Sequence, residues 1–392
     1  EQLCQQLLKI DDTHPTFHKL LSGFDNESFR VDRRLWEFSA KAKDMDLDKL
    51  FSETPAKELK TKLEGSDKGK KFMKEFNEFL DKEAGWRMER MAEINVPTWQ
   101  EDPTPGFDTI KMYLKKGGEF DLDEDRKKLT KERKDAEKEV LGKIATEQKS
   151  WFSMLMRVAQ NCSRFSEEHN HYLDLYTHAL MRRSCLGLGK RFAKSGAINQ
   201  PDDIFFLMPD EVRRAGINPD KINLKPLVER RKKDWQEWMQ RGNPPAIMKE
   251  GFTLDQAVGG LVQSLDPIAL KVVVGSMPVP KPELKADLYG TCGSSGVAEG
   301  IARVVLRDED LPKIQKGDIL VSMSTSPAWT PVFSMIKGVV VDRGASLSHA
   351  AIVGREYGIP VVMNVFTGTQ VIKSGQRIRV DGNLGAVFIL DK

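Results

Sequence analysis

The chain has 392 residues, enough for two or three domains with cores of their own, so a single small module is excluded. Lys and Arg number 61 against 58 Asp and Glu. From Thr291 onward there are 11 basic and 9 acidic residues, which leaves 50 and 49 before it. Neither part is basic enough to argue for nucleic acid as a partner, and no apolar run approaches the roughly 20 residues of a membrane span.

The sequence opens "EQLCQQLLKI", without an initiator Met and already in a helical pattern, which leads to the expectation of a fragment or processed chain. From residue 1 to about 270 apolar residues recur at three and four spacing, as in "FMKEFNEFLDKEAGWRMERMAEI", so a large, mostly helical domain is expected over 1–274. Within it "DLDEDRKKLTKERKDAEKEVLGKI" reads as a charged helix solvated on most faces, a coiled hairpin arm. Pro278, Pro280 and Pro282 then interrupt the pattern, and 275–290 reads as a semi-rigid extended hinge. At roughly 3.1 Å per residue, a dozen such residues reach on the order of 35 Å.

Over 291–392 the pattern changes to short β-rich runs between glycine turns: "GVAEGIARVVL", "GDILVSM", "GVVVD", "IPVVMNV", "RIRVDG" and "AVFIL". One helix is predicted, from about His349 to Tyr357. The fold class expected is therefore multidomain α plus α/β, a helical domain followed by a compact α/β unit. Cys4, Cys162, Cys185 and Cys292 lack metal or disulfide spacing, so a cytoplasmic location is expected.

His349 lies in "DRGASLSHAAIVGREYGIPVV". A neutral imidazole can attack phosphorus and hold the phosphoryl group through a labile P–N bond. The turn at Gly344, the Ser348 hydroxyl and the start of the predicted helix supply anion-binding groups beside it.

The stretch from Gly293 to Leu390, with "GSSGVAEGIARVV", "GDILVSMSTSPAWTP" and "IKSGQRIRVDGNLGAVFIL", resembles the mobile phosphohistidine domain of the phosphoenolpyruvate (PEP)-utilising enzymes. The resemblance implies a swivelling domain with His349 as phosphoryl-accepting nucleophile, and Ser348, Gly344 and Thr325 around the phosphate. Gly344-Ala345 replaces the family's paired glycine, and Ser326 its acidic residue. In PEP synthases a large barrel follows the mobile domain, and a barrel needs about 200 residues or more. Because the sequence ends at Asp391-Lys392, the acceptor site is expected in the helical domain instead.

That domain resembles, over most of 14–225, the substrate domain shared by rifamycin phosphotransferases and phenylphosphate synthases, most closely the large subunit of the latter. The candidate acceptor segment is "RFSEEHNHYLDLYTHALMRR". On a helix Glu168 and Glu167 fall three and four residues before His171, and Asp174 four before His178, so each carboxylate can orient an imidazole. His169 or His171, steadied by Glu168 or Glu167, is expected to deprotonate a hydroxyl, with Asn170 and Asp174 as substrate contacts. Arg87, with Glu89 near it, or a metal ion is the candidate to neutralise the transferring group. Trp86, Met88, Met91, Trp99, Trp151, Phe152, Met154 and Met156 are candidates to line an apolar pocket for an aromatic alcohol. A small phenolic acceptor fits, since a phenol with pKa about 10 gives up its proton more readily than an aliphatic alcohol.

No "GxxxxGK[ST]" loop occurs, so ATP, with Mg2+, is expected on an ATP-grasp subunit or domain elsewhere. The sequence identifies no metal ligands. Two alternatives stay open: a rifamycin-type acceptor, and a PEP synthase-like phosphocarrier without a small-molecule acceptor of its own.

Overall fold

The computed structural model describes residues 2–10, 14–88, 93–116, 121–241, 284–306, 308–326, 329–345 and 348–391. Expectations that fall on Glu89, Met91 and positions 275–283 of the hinge lie outside the described residues.

The chain is multidomain, α followed by α/β. Its first part is built from α1 (Gln2–Leu8), α2 (Pro15–Leu20), α3 (Glu27–Asp44), α4 (Asp48–Glu53), α5 (Ala56–Glu64), α6 (Asp67–Phe79), α7 (Thr104–Lys116), α8 (Leu122–Lys143), α9 (Thr146–His169), α10 (Tyr176–Lys194), α11 (Pro209–Ile217) and α12 (Lys225–Arg241). Polar caps set the starts: Asn26 Oδ1 accepts from Phe29 N at 2.9 Å, and Ser66 Oγ from Gly69 N at 3.0 Å. Val31, Leu35, Phe38 and Ala42 form one stripe of α3 and meet Phe72, Phe76 and Phe79 of α6. Phe38 contacts these three rings at 5.3–5.5 Å between centroids in tilted and edge-to-face arrangements, the geometry the ring quadrupoles favour.

The charged helix α8 is not a free arm. It buries Leu122, Ala136 and Val140, and it turns two arginines inward. Arg126 lies 4.0 Å from the Phe29 ring centroid and donates to Phe24 O. Arg133 lies 3.9 Å from the Phe24 centroid and donates to the carbonyls of Ser22 and Gly23. Apolar stems cover aromatic faces while the guanidinium heads satisfy backbone carbonyls, which a count of charges along the helix does not reveal.

Among the described residues two π-helical segments interrupt the helical part, Leu80–Ala84 after α6 and Asn170–Leu175 between α9 and α10. Such segments often mark functional positions in helices.

The second part is an eight-stranded sheet: β1 (Leu288–Tyr289), β2 (Thr291–Ser294), β3 (Val297–Val305), β4 (Ile319–Ser322), β5 (Gly338–Val341), β6 (Val361–Met363), β7 (Arg377–Asp381) and β8 (Ala386–Ile389), in the order β1-β8-β7-β3-β4-β5-β6-β2. β3, β4, β5 and β6 are parallel neighbours, and the flanking pairs are antiparallel. β1 and β2 stand at opposite ends of that order yet only Gly290 separates them, so the sheet curls into a barrel-like form. A Cβ at Gly290 would meet Met363 O at 2.2 Å, so this closure needs glycine. The parallel strands "ILVS", "GVVV" and "VVM" are buried on both faces, as their unbroken apolar runs require. Outside the sheet lie α13 (Thr330–Phe333), α14 (His349–Tyr357) and α15 (Gly368–Val371). α14 ends at Gly358, whose φ of 64° only glycine adopts cheaply.

The α/β part is docked on the helical part through buried polar contacts. Glu356 accepts from Gly23 N at 2.9 Å and pairs with Arg126. The Tyr357 hydroxyl donates to Asp32, and His18 Nδ1 accepts from Ser295 N at 3.0 Å. Burial raises the Tyr357 hydroxyl well above its usual pKa, and Asp32 raises it further, so it stays a donor.

Candidate active site

His349 is the first residue of α14, where the chain leaves the loop after β5 and turns back over the sheet. Its imidazole is held from both sides: Thr325 Oγ1 lies 2.8 Å from Nδ1 and Thr330 Oγ1 3.1 Å from Nε2. A neutral imidazole has one N–H and one lone pair, so one hydroxyl donates and the other accepts. Phe333 meets the ring edge to face, with centroids 5.7 Å apart and an interplanar angle of 88°. Burial, and secondarily the Arg87 guanidinium, push the imidazole pKa down to about 3, so the ring is neutral at physiological pH.

Ser348 and Gly344 hold the loop rather than the ring. Ser348 Oγ donates to Met363 Sδ at 3.4 Å and makes no capping bond to α14, while Gly344 N donates to Asn364 Oδ1 at 3.0 Å. Both expected phosphate contacts are thus tied to β6 and the residue after it.

The helical part presents Arg87, which is 2% exposed. Pairing of Met88 with Thr98, and the bond from Trp99 N to Arg87 O at 2.9 Å, fix its backbone. Its guanidinium lies 5.1 Å from the Trp99 ring centroid. It follows the first π-helical segment; the second carries His171.

Glu167, in the last turn of α9, and His171 are 1% and 2% exposed. Burial first, then Glu356, raise the Glu167 pKa to about 7 against the pull of Arg87 and Arg355. Burial first, then Arg87, lower that of His171 to about 4. Neither Glu167 oxygen nor His171 Nδ1 has a hydrogen-bond partner among the described residues. The expected bond between these two residues is therefore not formed, although both are buried in the same cluster. Trp86 packs edge-on against His171 and Tyr176, each at 5.4 Å between centroids. Arg87 is the cation that lowers the pKa of both His349 and His171 and opposes the rise at Glu167.

The other candidates lie elsewhere. His169 Nδ1 pairs with Asp174 Oδ2 at 3.3 Å, with a side chain 43% exposed, and Glu168 pairs with Arg164 at 3.5 Å. The expected Asp174–His178 carboxylate pair is replaced by a contact of His178 Nδ1 with the Asp174 carbonyl. The π-helical turn explains the change, since it brings residues five apart together and so gives the Asp174 carboxylate to His169. Asn170 N bonds Glu167 O and closes α9.

The expected apolar pocket also divides. Met88, Trp99 and Phe152 are buried core, whereas Trp151 and Met154 are exposed. A cavity of about 560 Å³ is lined by Cys4, Phe17, Leu20, Trp151, Phe152 and Met156, with none of the transfer cluster among its walls. Thr330, Phe333 and Arg355 are site neighbours that residue spacing does not single out. The only hint in the sequence is the Thr330-Pro331 step, which starts α13.

Residues 314–385 match the model of the PEP-utilising enzyme mobile domain, and residues 1–167 that of the rifampicin phosphotransferase fourth domain. The chain is thus similar to PEP-utilising enzymes in its α/β part and to rifampicin phosphotransferases in its helical part. It is 28% identical to an uncharacterized phosphotransferase, YvkC, of Bacillus subtilis, over 100% of this chain and 45% of that protein. It is 29% identical to a rifampicin phosphotransferase of Bacillus cereus, over 82% of this chain and 35% of the relative. A PEP synthase of Aeropyrum pernix is 41% identical over 27% of this chain and 13% of its own length. The chain thus spans less than half the length of each of these relatives.

Among the described residues no group of three or more His, Cys, Asp or Glu side chains could hold a metal ion. No described helix is long and apolar enough to cross a membrane.

Proposed function

We propose that this chain is the phosphocarrier and acceptor-binding part of an ATP-dependent phosphotransferase in the cytoplasm. His349 takes a phosphoryl group at an ATP-grasp nucleotide domain or subunit, where Mg2+ accompanies ATP. The 291–392 domain then swings on the 275–290 hinge to the 1–274 domain and delivers the group to a phenolic hydroxyl. The observation that carries this reading is the docking of a neutral imidazole, bracketed by Thr325 and Thr330, against a part whose buried Arg87 acts on it.

In the docked state burial keeps the imidazole neutral, the form in which it leaves once the phosphoryl group has gone. At the acceptor, Arg87 offsets the charge that builds on the phosphoryl oxygens, in a dry setting where such compensation counts most. The docked geometry holds donor and acceptor together, which removes the entropy cost of a bimolecular encounter.

A bulky, rifamycin-type aromatic alcohol is the second reading, and the match of residues 1–167 to the rifampicin phosphotransferase fourth domain favours it. An acceptor screen separates the two. The chain, charged from ATP through its nucleotide-binding partner, is offered phenol, catechol and rifampicin. Transfer to phenol supports the first reading, and transfer to rifampicin alone replaces it with the second. No small-molecule product at all would leave a phosphocarrier that passes the group to a protein.

A further inference from the structure

The acceptor cluster holds one carboxylate with no described task. Glu167 is 1% exposed and neither oxygen has a hydrogen-bond partner among the described residues. A buried carboxylate left this way is costly, and in native proteins such groups belong with a ligand, a water or a reaction. It sits one helical turn before His171, on the side of the helical part that meets α14. The charged groups facing it are Arg87 from its own part and Arg355 and Glu356 from α14. Arg355 is itself anchored, with Nη1 donating to Gly293 O at 2.6 Å. Glu356 is held by Gly23 N and Arg126. Glu167 alone in this group has both oxygens open.

We infer that Glu167 is the proton acceptor for the attacking hydroxyl, in place of His169 or His171. The inference rests on the phosphotransferase reading above. In the step, the acceptor oxygen forms the new P–O bond and its proton passes to Glu167. The P–N bond breaks with its electron pair returning to the imidazole, which carries a proton on its other nitrogen and leaves neutral. Charge balances: a carboxylate, a phosphohistidine of net −1 and a neutral hydroxyl become a carboxylic acid, a phosphate ester of −2 and a neutral histidine. Undocking of the α/β part then returns Glu167 to water, where a carboxylic acid releases its proton.

The neighbours of Glu167 suit it to this task better than His171. Its proton affinity matches the operating pH, where a general base is most effective, whereas His171 stays unprotonated down to about pH 4 and is a weak base. His169 is outside the cluster, tied to Asp174.

The test uses the full chain charged on His349 with phosphoramidate and follows single-turnover discharge to phenol, to a nitrophenol already ionised at the assay pH, and to water. Glu167→Gln is expected to slow discharge to phenol and water about 100-fold or more, the range for loss of a general base, and to remove the rise in rate through pH 7. Discharge to the ionised nitrophenol, which has no proton to give, is expected to be unchanged. Equal loss with both phenols would assign Glu167 a structural role, and a wild-type rate and pH profile in Glu167→Gln would overturn the inference. If the wild-type chain discharges to water but to neither phenol, the phenol reading fails while the water arm still decides the role of Glu167.

Discussion

The two faces that meet at the site are built to opposite rules. On the α/β side, His349 has a hydroxyl at each nitrogen and Phe333 against its ring. On the helical side, Glu167 and His171 are as deeply buried, yet three of their polar atoms lack a hydrogen-bond partner among the described residues. An unsatisfied buried polar group costs about 1–3 kcal/mol. A face left this way can offer those atoms to a substrate, whereas a satisfied face delivers one group in one orientation. The contrast matches a carrier that must be rigid and an acceptor station that must take in a substrate.

The sharpest way to break the contrast is to empty the carrier face. His349→Ala removes the nucleophile, and transfer from ATP to any acceptor is expected to fall to background in a labelled-phosphate assay. On the opposite face, Arg87→Gln removes the shared cation. Acceptor transfer is expected to drop on the order of 100-fold, as for loss of one preorganised electrostatic donor. In the same variant the His349 and His171 pKa values move up, read by NMR titration, because burial remains while the repelling cation is gone.

Thr330→Val is a finer change. It leaves one imidazole nitrogen without its hydroxyl, and denaturant unfolding is expected to show a loss of about 1–3 kcal/mol. Glu167→Gln should show no comparable loss, since no hydrogen bond is removed.

The smallest effect is in pH dependence, where the two faces pull in opposite directions. His349 and His171, lowered to about 3 and 4 from an ordinary 6.5, bind fewer protons when docked, so docking weakens as pH falls below 6.5. Glu167, raised to about 7 from 4.5, binds more protons when docked, so docking weakens as pH rises from 4.5 to about 7. Between 4.5 and 6.5 the two histidines outweigh the one carboxylate, so docking tightens as pH rises through that window and levels off near pH 7, where the opposing contributions cancel. Distance measurement between labels on the two parts should show that rise and plateau, and Glu167→Gln should steepen the rise.

The sequence carries these features unevenly, for physical reasons. The α/β strands are legible because parallel strands buried on both faces must be apolar throughout, and α14 falls over the predicted His349–Tyr357. Its site chemistry is legible because His349 and Thr325 lie in short motifs that fold locally. β1 and β2 are not, since "LY" is only two residues long and "TCGS" is short and largely polar, and both owe their place to the closure at Gly290. On the helical side, spacing rules for a regular α-helix predict the wrong partner for Asp174, because nothing in "EEHNHYLDL" announces a π-helical turn. The pairing of Arg126 with Glu356 and of Asp32 with Tyr357 spans more than 200 residues and leaves no local trace.

The central claim is that His349 carries phosphate to the cluster around Arg87 and Glu167. Its most direct test is to charge the chain from β- or γ-labelled ATP through a nucleotide-binding partner and map the acid-labile label by peptide analysis. The account predicts label on the His349 peptide, none in His349→Ala, and discharge when phenol is added. Label on another residue, or label unchanged in His349→Ala, would contradict it.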